Sequence, residues 1–444
     1  MRGTARLQVA FCQTFGRAGL VVAARVIGAV VTLFYTVLLT GIASPHDVGL
    51  SFTAISLALV LSVIASLNIE AGSIRFLPLY LDRGRMQEAI GFMRCARYVT
   101  LGAALVFGVV ALGLLRFGFE LQTLAPFLIA LLAAPVLANT RINSRHAVAM
   151  GLVVRSAVPR LLVRPVLFAL VLLICHGLDV TLRADQIMLI FLAAVCVTAG
   201  LQWVLIRSAC KIGEKESAPR FDGINEWMSL GLLLVPMLLL SEHMRDIVIL
   251  SASFVLPPAE IARLGIALSL VGLLTFALTS VDMVLSPRIS RAILDEDTAL
   301  RDRLIAGSGV VKLAALLLGA PIVYSLIPPI LSLMSASYQG VQETYLLLVP
   351  MALAMAVFGP GPLVLNVLGK QWELFATALF GGLALMGGVI AGGLLGGLDG
   401  AAVAISLAVS VYHGTLYSIC RTQMKIDTTL LTVLPFRRAG VWPR

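Results

Sequence analysis

The chain has 444 residues, of which 59% are hydrophobic and only 13% are charged, and its mean hydropathy is +0.99. A soluble domain is typically about a quarter charged, so this composition excludes an ordinary soluble enzyme or binding domain. It indicates a membrane protein.

Twelve apolar stretches are long enough to cross a bilayer as helices, which requires roughly 17 to 25 residues. Long apolar stretches favour helices over a barrel, because a helix satisfies its own backbone hydrogen bonds in lipid. The predicted fold class is therefore an all-α membrane protein with about twelve transmembrane helices. The predicted spans are 18–42, 48–69, 98–117, 122–140, 159–177, 186–207, 227–250, 262–287, 305–327, 343–368, 373–396 and 400–420.

Positive charge is distributed unevenly over the predicted loops. Lys and Arg are concentrated in the termini and the even-numbered loops, whereas the odd-numbered loops hold only Arg116, Arg183 and Arg263. By the positive-inside rule, this pattern predicts that both termini are cytoplasmic. We therefore interpret the net charge of +10 as a topology signal and expect no nucleic-acid partner.

Two stretches, beginning near residues 45 and 258, align without a gap. Each combines a Pro-containing outer turn, one helix and the first basic residue on the inner side. A repeat with an even number of helices returns to the same side of the membrane, which predicts two parallel six-helix bundles around a central cavity. The expected boundaries are 1–210, a cytoplasmic linker at 211–225, and 226–444. The aligned pairs include Pro45 with Pro258, Asp47 with Glu260, and Arg75 with Arg288.

Helix 7 contains the most charged stretch within an apolar span, SEHMRD at 241–246. In a continuous helix, Glu242, Arg245 and Asp246 would share one side and His243 would point away. The two acids would neutralise the arginine and offset the cost of desolvation. We predict a self-paired patch that faces a hydrated cleft, in which Glu242 and Asp246 serve cavity pairing or ion coupling. The alternative is that the patch only fixes helix 7 to a neighbour.

Among the further charges inside predicted spans, we single out Arg25, Asp282 and Lys312. Each would cost roughly 2.5 to 3.5 kcal/mol at a helix centre, so we expect them to face one another or water. Arg25 in helix 1 is the best candidate for a buried cation that meets an anionic substrate. Asp282 is a candidate for cavity pairing. For Lys312, extension to the cytoplasmic surface is the alternative.

Helix 10 contains the run FGPGPLVLN, which starts at Phe358. Pro360 and Pro362 should break or kink this helix, since proline removes a backbone donor and clashes with the preceding turn. We interpret the two prolines as a hinge for alternating access, with a static kink as the alternative. No Ser-His-Asp set, HExxH motif or paired Cys-His ligands stand out, so we expect no enzyme activity, metal site or cofactor.

Helix 1, with Arg25 in RVIGAVVTLFYTVLLT, and the following SPHDVGLSFTAISLALVL resemble the start of bacterial polysaccharide flippases. These belong to the multidrug/oligosaccharidyl-lipid/polysaccharide (MOP) superfamily. AEIARLGIALSL, LSPRISR and VLNVLGK fall where that family places comparable segments, so the resemblance covers nearly the whole chain. It implies an inner-membrane transporter that moves a polyprenyl-diphosphate-linked oligosaccharide to the outer leaflet for cell-surface polysaccharide biosynthesis. Relatives hold the diphosphate or acidic sugars with cationic cavity residues, a role that the resemblance gives to Arg25, Arg245 and Lys312.

The partners that the resemblance implies are a lipid-linked oligosaccharide, membrane lipids, a polysaccharide polymerase and glycosyltransferases. The expected driving force is the membrane potential, or exchange of a proton or sodium ion at an intramembrane acid such as Glu242 or Asp246. Two alternatives stay open. One is an ion-coupled exporter of cationic drugs from the same superfamily, and the other is a non-catalytic membrane subunit of a polysaccharide assembly system.

Overall fold

The computed structural model describes residues 2–116, 121–208, 218–332, 334 and 338–430. Every regular element within these residues is helical, and eleven of the helices are long and apolar enough to cross a membrane. The predicted all-α membrane fold class is confirmed. The chain divides into two compact units, unit 1 at Met1–Val235 and unit 2 at Pro236–Arg444.

The part of unit 1 that the structure describes has eight α-helices and the start of a ninth, with two short helical turns of other types. The helices are α1 (Arg2–Ile42), α2 (Pro45–Ser66), α3 (Ser73–Asp82), α4 (Met86–Arg116), α5 (Leu121–Ala149), α6 (Val153–Val158), α7 (Arg164–Gly177), α8 (Ala184–Arg207) and α9 (Ile224–Glu242). A 3-10 turn at Ile69–Gly72 precedes α3, and a π-helical turn at Pro159–Val163 joins α6 to α7.

The π-helical turn follows from the prolines around it. Pro159 and Pro165 lack the N–H groups that a regular α-helix would use, and the Arg164 N–H instead donates to the Pro159 carbonyl five residues back. Gly28 of α1 packs against this segment. A Cβ at Gly28 would lie only 2.0 Å from the Leu161 carbonyl oxygen, so the close approach of α1 requires glycine.

The first part of α9 belongs to unit 1 because it packs onto the break between α2 and α3. Leu67 and Asn68 adopt left-handed φ angles of 48° and 53°, which end α2. The Asn68 amide donates to the Gly231 carbonyl of α9. Trp227 is fully buried in the same unit and its indole N–H donates to the Tyr80 hydroxyl at 3.0 Å.

Unit 2 continues from Pro236 of α9, and its described residues form six further α-helices. They are α10 (Met244–Ala252), α11 (Pro258–Leu294), α12 (Thr298–Ser332), α13 (Val341–Phe358), α14 (Gly361–Val367) and α15 (Gln371–Gln423). Helices α2 and α11 begin at Pro45 and Pro258, the prolines that the sequence repeat aligns.

Helix α15 contains two membrane crossings. Its 53 residues would span about 80 Å if straight, far more than the roughly 30 Å of a hydrocarbon core. Gly396 and Gly397 have non-helical backbone angles, and a Cβ on Gly400 would lie 2.2 Å from the Gly392 carbonyl oxygen. The two segments therefore form a tight helical hairpin. Counted separately, they bring the described residues to twelve apolar crossings, as the sequence predicts.

Two predicted single helices are each divided in the structure. Predicted helix 7 (227–250) is α9 and α10, separated at His243, and predicted helix 10 (343–368) is α13 and α14. Residues 211–217 of the predicted linker lie outside the described residues, and the Arg220 N–H that follows donates to the Gln87 carbonyl. The division between the units falls at Pro236, inside α9.

Candidate functional site

An ion pair joins two long helices inside unit 2. The Lys312 ammonium of α12 lies 2.5 Å from the Asp282 carboxylate of α11. The Lys312 side chain is 2% exposed, whereas that of Asp282 is 32% exposed, so the carboxylate reaches the surface of the unit. The pairing explains how an ammonium is tolerated within an apolar helix, since each charge offsets the desolvation of the other.

The SEHMRD stretch is not a continuous helix. Helix α9 ends at Glu242, His243 has non-helical angles (φ −126°, ψ 18°), and α10 starts at Met244. The expectation that His243 points away from Asp246 is wrong, because the His243 Nδ1 atom lies 2.9 Å from Asp246 Oδ2 and both side chains are buried. The two residues are three positions apart, a separation at which side chains are neighbours on a helix, so the expectation misjudged the helical spacing.

Arg245 holds the second half of the broken helix to its neighbour. Its guanidinium donates to the Gly265 carbonyl of α11 at 3.2 Å. Asp282 lies 17 residues further along α11 (265 to 282), or about 25 Å at 1.5 Å per residue. The Arg245 contact and the Lys312–Asp282 pair are therefore two separate sites of unit 2. Glu242, at the end of α9, is exposed.

Arg25 is exposed on unit 1, on the opposite side of α1 from the apolar surface of that helix. Ile27, Val30 and Phe34 are each about half exposed and lie roughly 140° to 200° around the helix from Arg25. Thr36, which is 1% exposed, lies within about 20° of the Arg25 direction. The arginine thus belongs to a polar face of α1, and the lipid-compatible face is the opposite one.

The break between α13 and α14 lies at Gly359 and Pro360. Gly359 adopts a φ of +72°, and a Cβ there would lie 1.9 Å from the Thr428 carbonyl oxygen. The Thr428 hydroxyl donates to the Phe358 carbonyl at 2.7 Å, which satisfies an acceptor that the break releases. Pro362 follows in the first turn of α14. The segment after α15 thus braces this break.

Sequence reasoning missed a buried ion pair in unit 1. The Arg141 guanidinium of α5 lies 2.9 Å from Glu70 Oε1, with side-chain exposures of 9% and 1%. Ser66 also donates to Glu70. One signal was available. The repeat aligns Asp282 with position 69, and Glu70 is the next residue. Arginines at inner helix ends are common under the positive-inside rule, so Arg141 did not stand out.

No model of a known protein family matches the chain, and no curated protein matches it by sequence. Solved structures do match. An inward-facing MATE family multidrug resistance transporter of the MOP superfamily has a TM-score of 0.71 at 12% identity, over 91% of this chain and 98% of that one. The lipid II flippase MurJ, in an inward closed conformation, has a TM-score of 0.69 at 14% identity, over 96% and 93%. The MATE multidrug transporter DinF-BH in complex with R6G has a TM-score of 0.60 at 14% identity, over 92% and 95%.

Identities this low establish a shared fold and leave the substrate open. The likeness extends over more than nine-tenths of each chain, so it concerns the whole architecture rather than one motif. The chain is a multi-pass membrane protein with the fold of MOP-superfamily transporters.

Proposed function

We propose that this protein is a flippase that moves a lipid-linked oligosaccharide, carried on polyprenyl diphosphate, from the cytoplasmic to the outer leaflet. The observation that carries the proposal is the fold, which this chain shares over 96% of its length with a lipid flippase and over 91% with a multidrug transporter. A transporter of this fold is the kind of protein that moves a polar headgroup past hydrocarbon, where each charge is strongly penalised.

The charged residues inside the spans suit an anionic headgroup. Arg25 is exposed on a polar face of α1 in unit 1. Lys312, which is paired with Asp282, is a second cation and lies in unit 2. Arginine binds phosphate through two parallel hydrogen bonds, and lysine binds it as a point charge. Arg25 is accordingly the first residue that we assign to the substrate, followed by Lys312 and Arg245.

The cellular setting of the proposal is the bacterial inner membrane, with both termini in the cytoplasm. Moving one negative charge out of a negative cytoplasm gains about 2.3 kcal/mol per 100 mV, so the membrane potential favours export of a diphosphate. Exchange of a proton or sodium ion at Asp246 or Glu242 is the second way to reset the carrier. Glycosyltransferases and a polysaccharide polymerase would act before and after the transport step.

Export of cationic drugs is the second candidate, because two of the three structures compared above are multidrug transporters and Asp246 is a buried acid. Lys312 argues against it, since its ammonium lies beside Asp282 and neutralises that carboxylate. A site for cations would be expected to keep such an acid available.

Purified protein in liposomes separates the two functions. The flippase assay follows a fluorescent polyprenyl-diphosphate oligosaccharide and a membrane-impermeant quencher, and the exporter assay follows a cationic dye. We expect the lipid to cross only in vesicles that contain the protein, and more slowly with Arg25→Gln. Dye movement without lipid movement would replace the flippase proposal with the exporter.

A further inference from the structure

A cavity of about 290 Å³ opens on unit 1 between α1, the α6–π segment and α8. Its walls are apolar side chains, with Arg155 as the one charged residue among those that line it in the described part of the chain. At roughly 30 Å³ per water molecule, the space equals about ten waters. An apolar cavity of this size does not hold water well and fits a hydrocarbon chain.

The local sequence accounts for the cavity. On α1 the wall is formed by Leu20, Ala23, Ala24 and Ile27, and the two alanines have side chains too short to fill the space. On the facing segment, Arg155, Val158 and Leu162 recur at helical spacing. The lining is wholly apolar, so Arg155 contributes the carbon stem of its side chain and its guanidinium lies beside the cavity rather than within the wall. The π-helical turn begins at Pro159, within the wall, and such turns are frequent at functional sites.

Arg155 touches the cavity and its side chain is exposed. Arginine pairs with phosphate through charge-assisted hydrogen bonds, so an apolar slot with an exposed arginine beside it complements a lipid that has one phosphorylated end. The volume suits part of one chain, whereas a membrane phospholipid brings two chains.

We propose that this cavity binds the phosphate-proximal part of a polyprenyl chain, with Arg155 holding the phosphate. The inference rests on the proposed function, because it takes a polyprenyl phosphate as the lipid carrier of the substrate. The site would hold the carrier's chain on unit 1 while the sugar headgroup crosses.

Native mass spectrometry of the full-length protein in detergent tests the site, with undecaprenyl monophosphate as the probe. Ala23→Phe places a large side chain in the cavity from an exposed position, and Arg155→Gln removes the exposed guanidinium. We expect each variant to weaken the affinity for undecaprenyl monophosphate about tenfold, which corresponds to about 1.4 kcal/mol. The bound fraction of the probe should fall accordingly. Uncharged undecaprenol should bind more weakly than the phosphate to the wild type and equally to the wild type and Arg155→Gln.

The matched controls are Ala193→Phe, an exposed alanine of α8 outside the cavity, and Arg94→Gln, an exposed arginine of α4. Both should bind the probe like the wild type. Equal binding by Ala23→Phe, Arg155→Gln and the wild type would overturn the proposal. Displacement of the probe by an equal concentration of dioleoylphosphatidylglycerol would also overturn it, because the occupant would then be a membrane phospholipid.

The liposome assay distinguishes failure of the site from failure of the proposed function. If Ala23→Phe removes specific binding of the probe but the protein moves no polyprenyl lipid, the site is supported and the flippase function is refuted. If a correctly folded Ala23→Phe variant binds the probe and moves the lipid like the wild type, the site is refuted and the flippase function is supported. Arg155→Gln, with its exposed side chain, decides the question if Ala23→Phe does not fold.

Discussion

The Lys312 ammonium and the Asp282 carboxylate lie 2.5 Å apart and connect α12 to α11 within unit 2. The two partners differ in exposure, since the lysine side chain is 2% exposed and the aspartate side chain is 32% exposed. A phosphate that reached this surface would meet the carboxylate first. The lysine can therefore bind an anion only if Asp282 moves aside or is displaced.

We expect Asp282→Asn to destabilise the protein by about 3 to 5 kcal/mol, because it leaves the buried Lys312 ammonium without a counter-charge. Thermal unfolding of the purified protein in detergent measures the effect. The Asp282→Asn/Lys312→Met double variant should recover much of the loss, since it removes both charges.

The exposed pair Arg75–Glu226 in unit 1 provides the control, with side-chain exposures of 64% and 56%. Glu226→Gln should cost less than about 1 kcal/mol, as surface pairs usually do. A double variant no more stable than Asp282→Asn alone would show that the buried charge is not the cause of the loss.

Asp246→Asn should remove the dependence of lipid movement on a proton or sodium gradient, lowering gradient-driven movement about tenfold. Asp246 is the buried acid at the helix break, and its carboxylate lies 2.9 Å from the His243 ring. Liposome transport at several external pH values and sodium concentrations measures the dependence. Glu226→Gln, at an exposed acidic position of α9 outside the SEHMRD stretch, is the control. A variant that responds to both gradients like the wild type would exclude Asp246 from coupling.

Helix 10 and helix 7 illustrate what the sequence could and could not predict. Two prolines and two glycines in FGPGP predict the break that the structure has at Gly359 and Pro360. No proline or glycine lies at His243, where helix 7 is broken. The contact of Arg245 with Gly265, 20 residues further along the chain, accompanies that break, and a tertiary interaction of this kind leaves no local signal.

The ion pairs show the same limit. Apolar length alone predicts the crossings, and the cost of a bare charge predicts that Asp282 and Lys312 need polar surroundings. Which charges meet depends on packing. Glu70 and Arg141 are 71 residues apart, and nothing local in either position indicates the partner.

Gly28→Ala should weaken the packing of α1 on the π-helical turn and cost about 1 to 3 kcal/mol, the usual range for overpacking. The new Cβ would lie 2.0 Å from the Leu161 carbonyl oxygen, and a backbone atom cannot rotate away. Thermal unfolding measures the loss. Gly102→Ala in α4 is the matched control, because no atom lies within 4 Å of its Cβ position. If both variants are equally stable, the close approach of α1 to Leu161 is not a tight contact.

Gly359→Ala should be more destabilising than Gly369→Ala. Both glycines have positive φ angles, +72° and +71°, but Gly359 also has a ψ of −163°, a conformation that is essentially restricted to glycine. Only Gly359 faces the Thr428 carbonyl oxygen, at 1.9 Å, whereas Gly369 has nothing within 4 Å. The difference between their unfolding temperatures measures the backbone strain at Gly359 and its Thr428 contact together. Identical values would mean that residues after α15 do not hold this break, and would favour Pro360 and Pro362 as a moving hinge.

Arg25→Gln should reduce lipid movement at least about 100-fold without changing membrane insertion or thermal stability. The side chain is exposed, so its loss leaves no cavity, and it lies on the polar face of α1, where an anionic headgroup can reach it. Arg25→Lys should restore only part of the movement, because an ammonium lacks the paired donors with which a guanidinium binds phosphate. Arg94→Gln, another exposed arginine, should transport like the wild type. In cells, the same variants should lose or keep surface polysaccharide in parallel. A well-inserted Arg25→Gln protein with normal lipid movement would remove Arg25 from the substrate site, and the cation that meets the diphosphate would then have to be sought in unit 2, at Lys312.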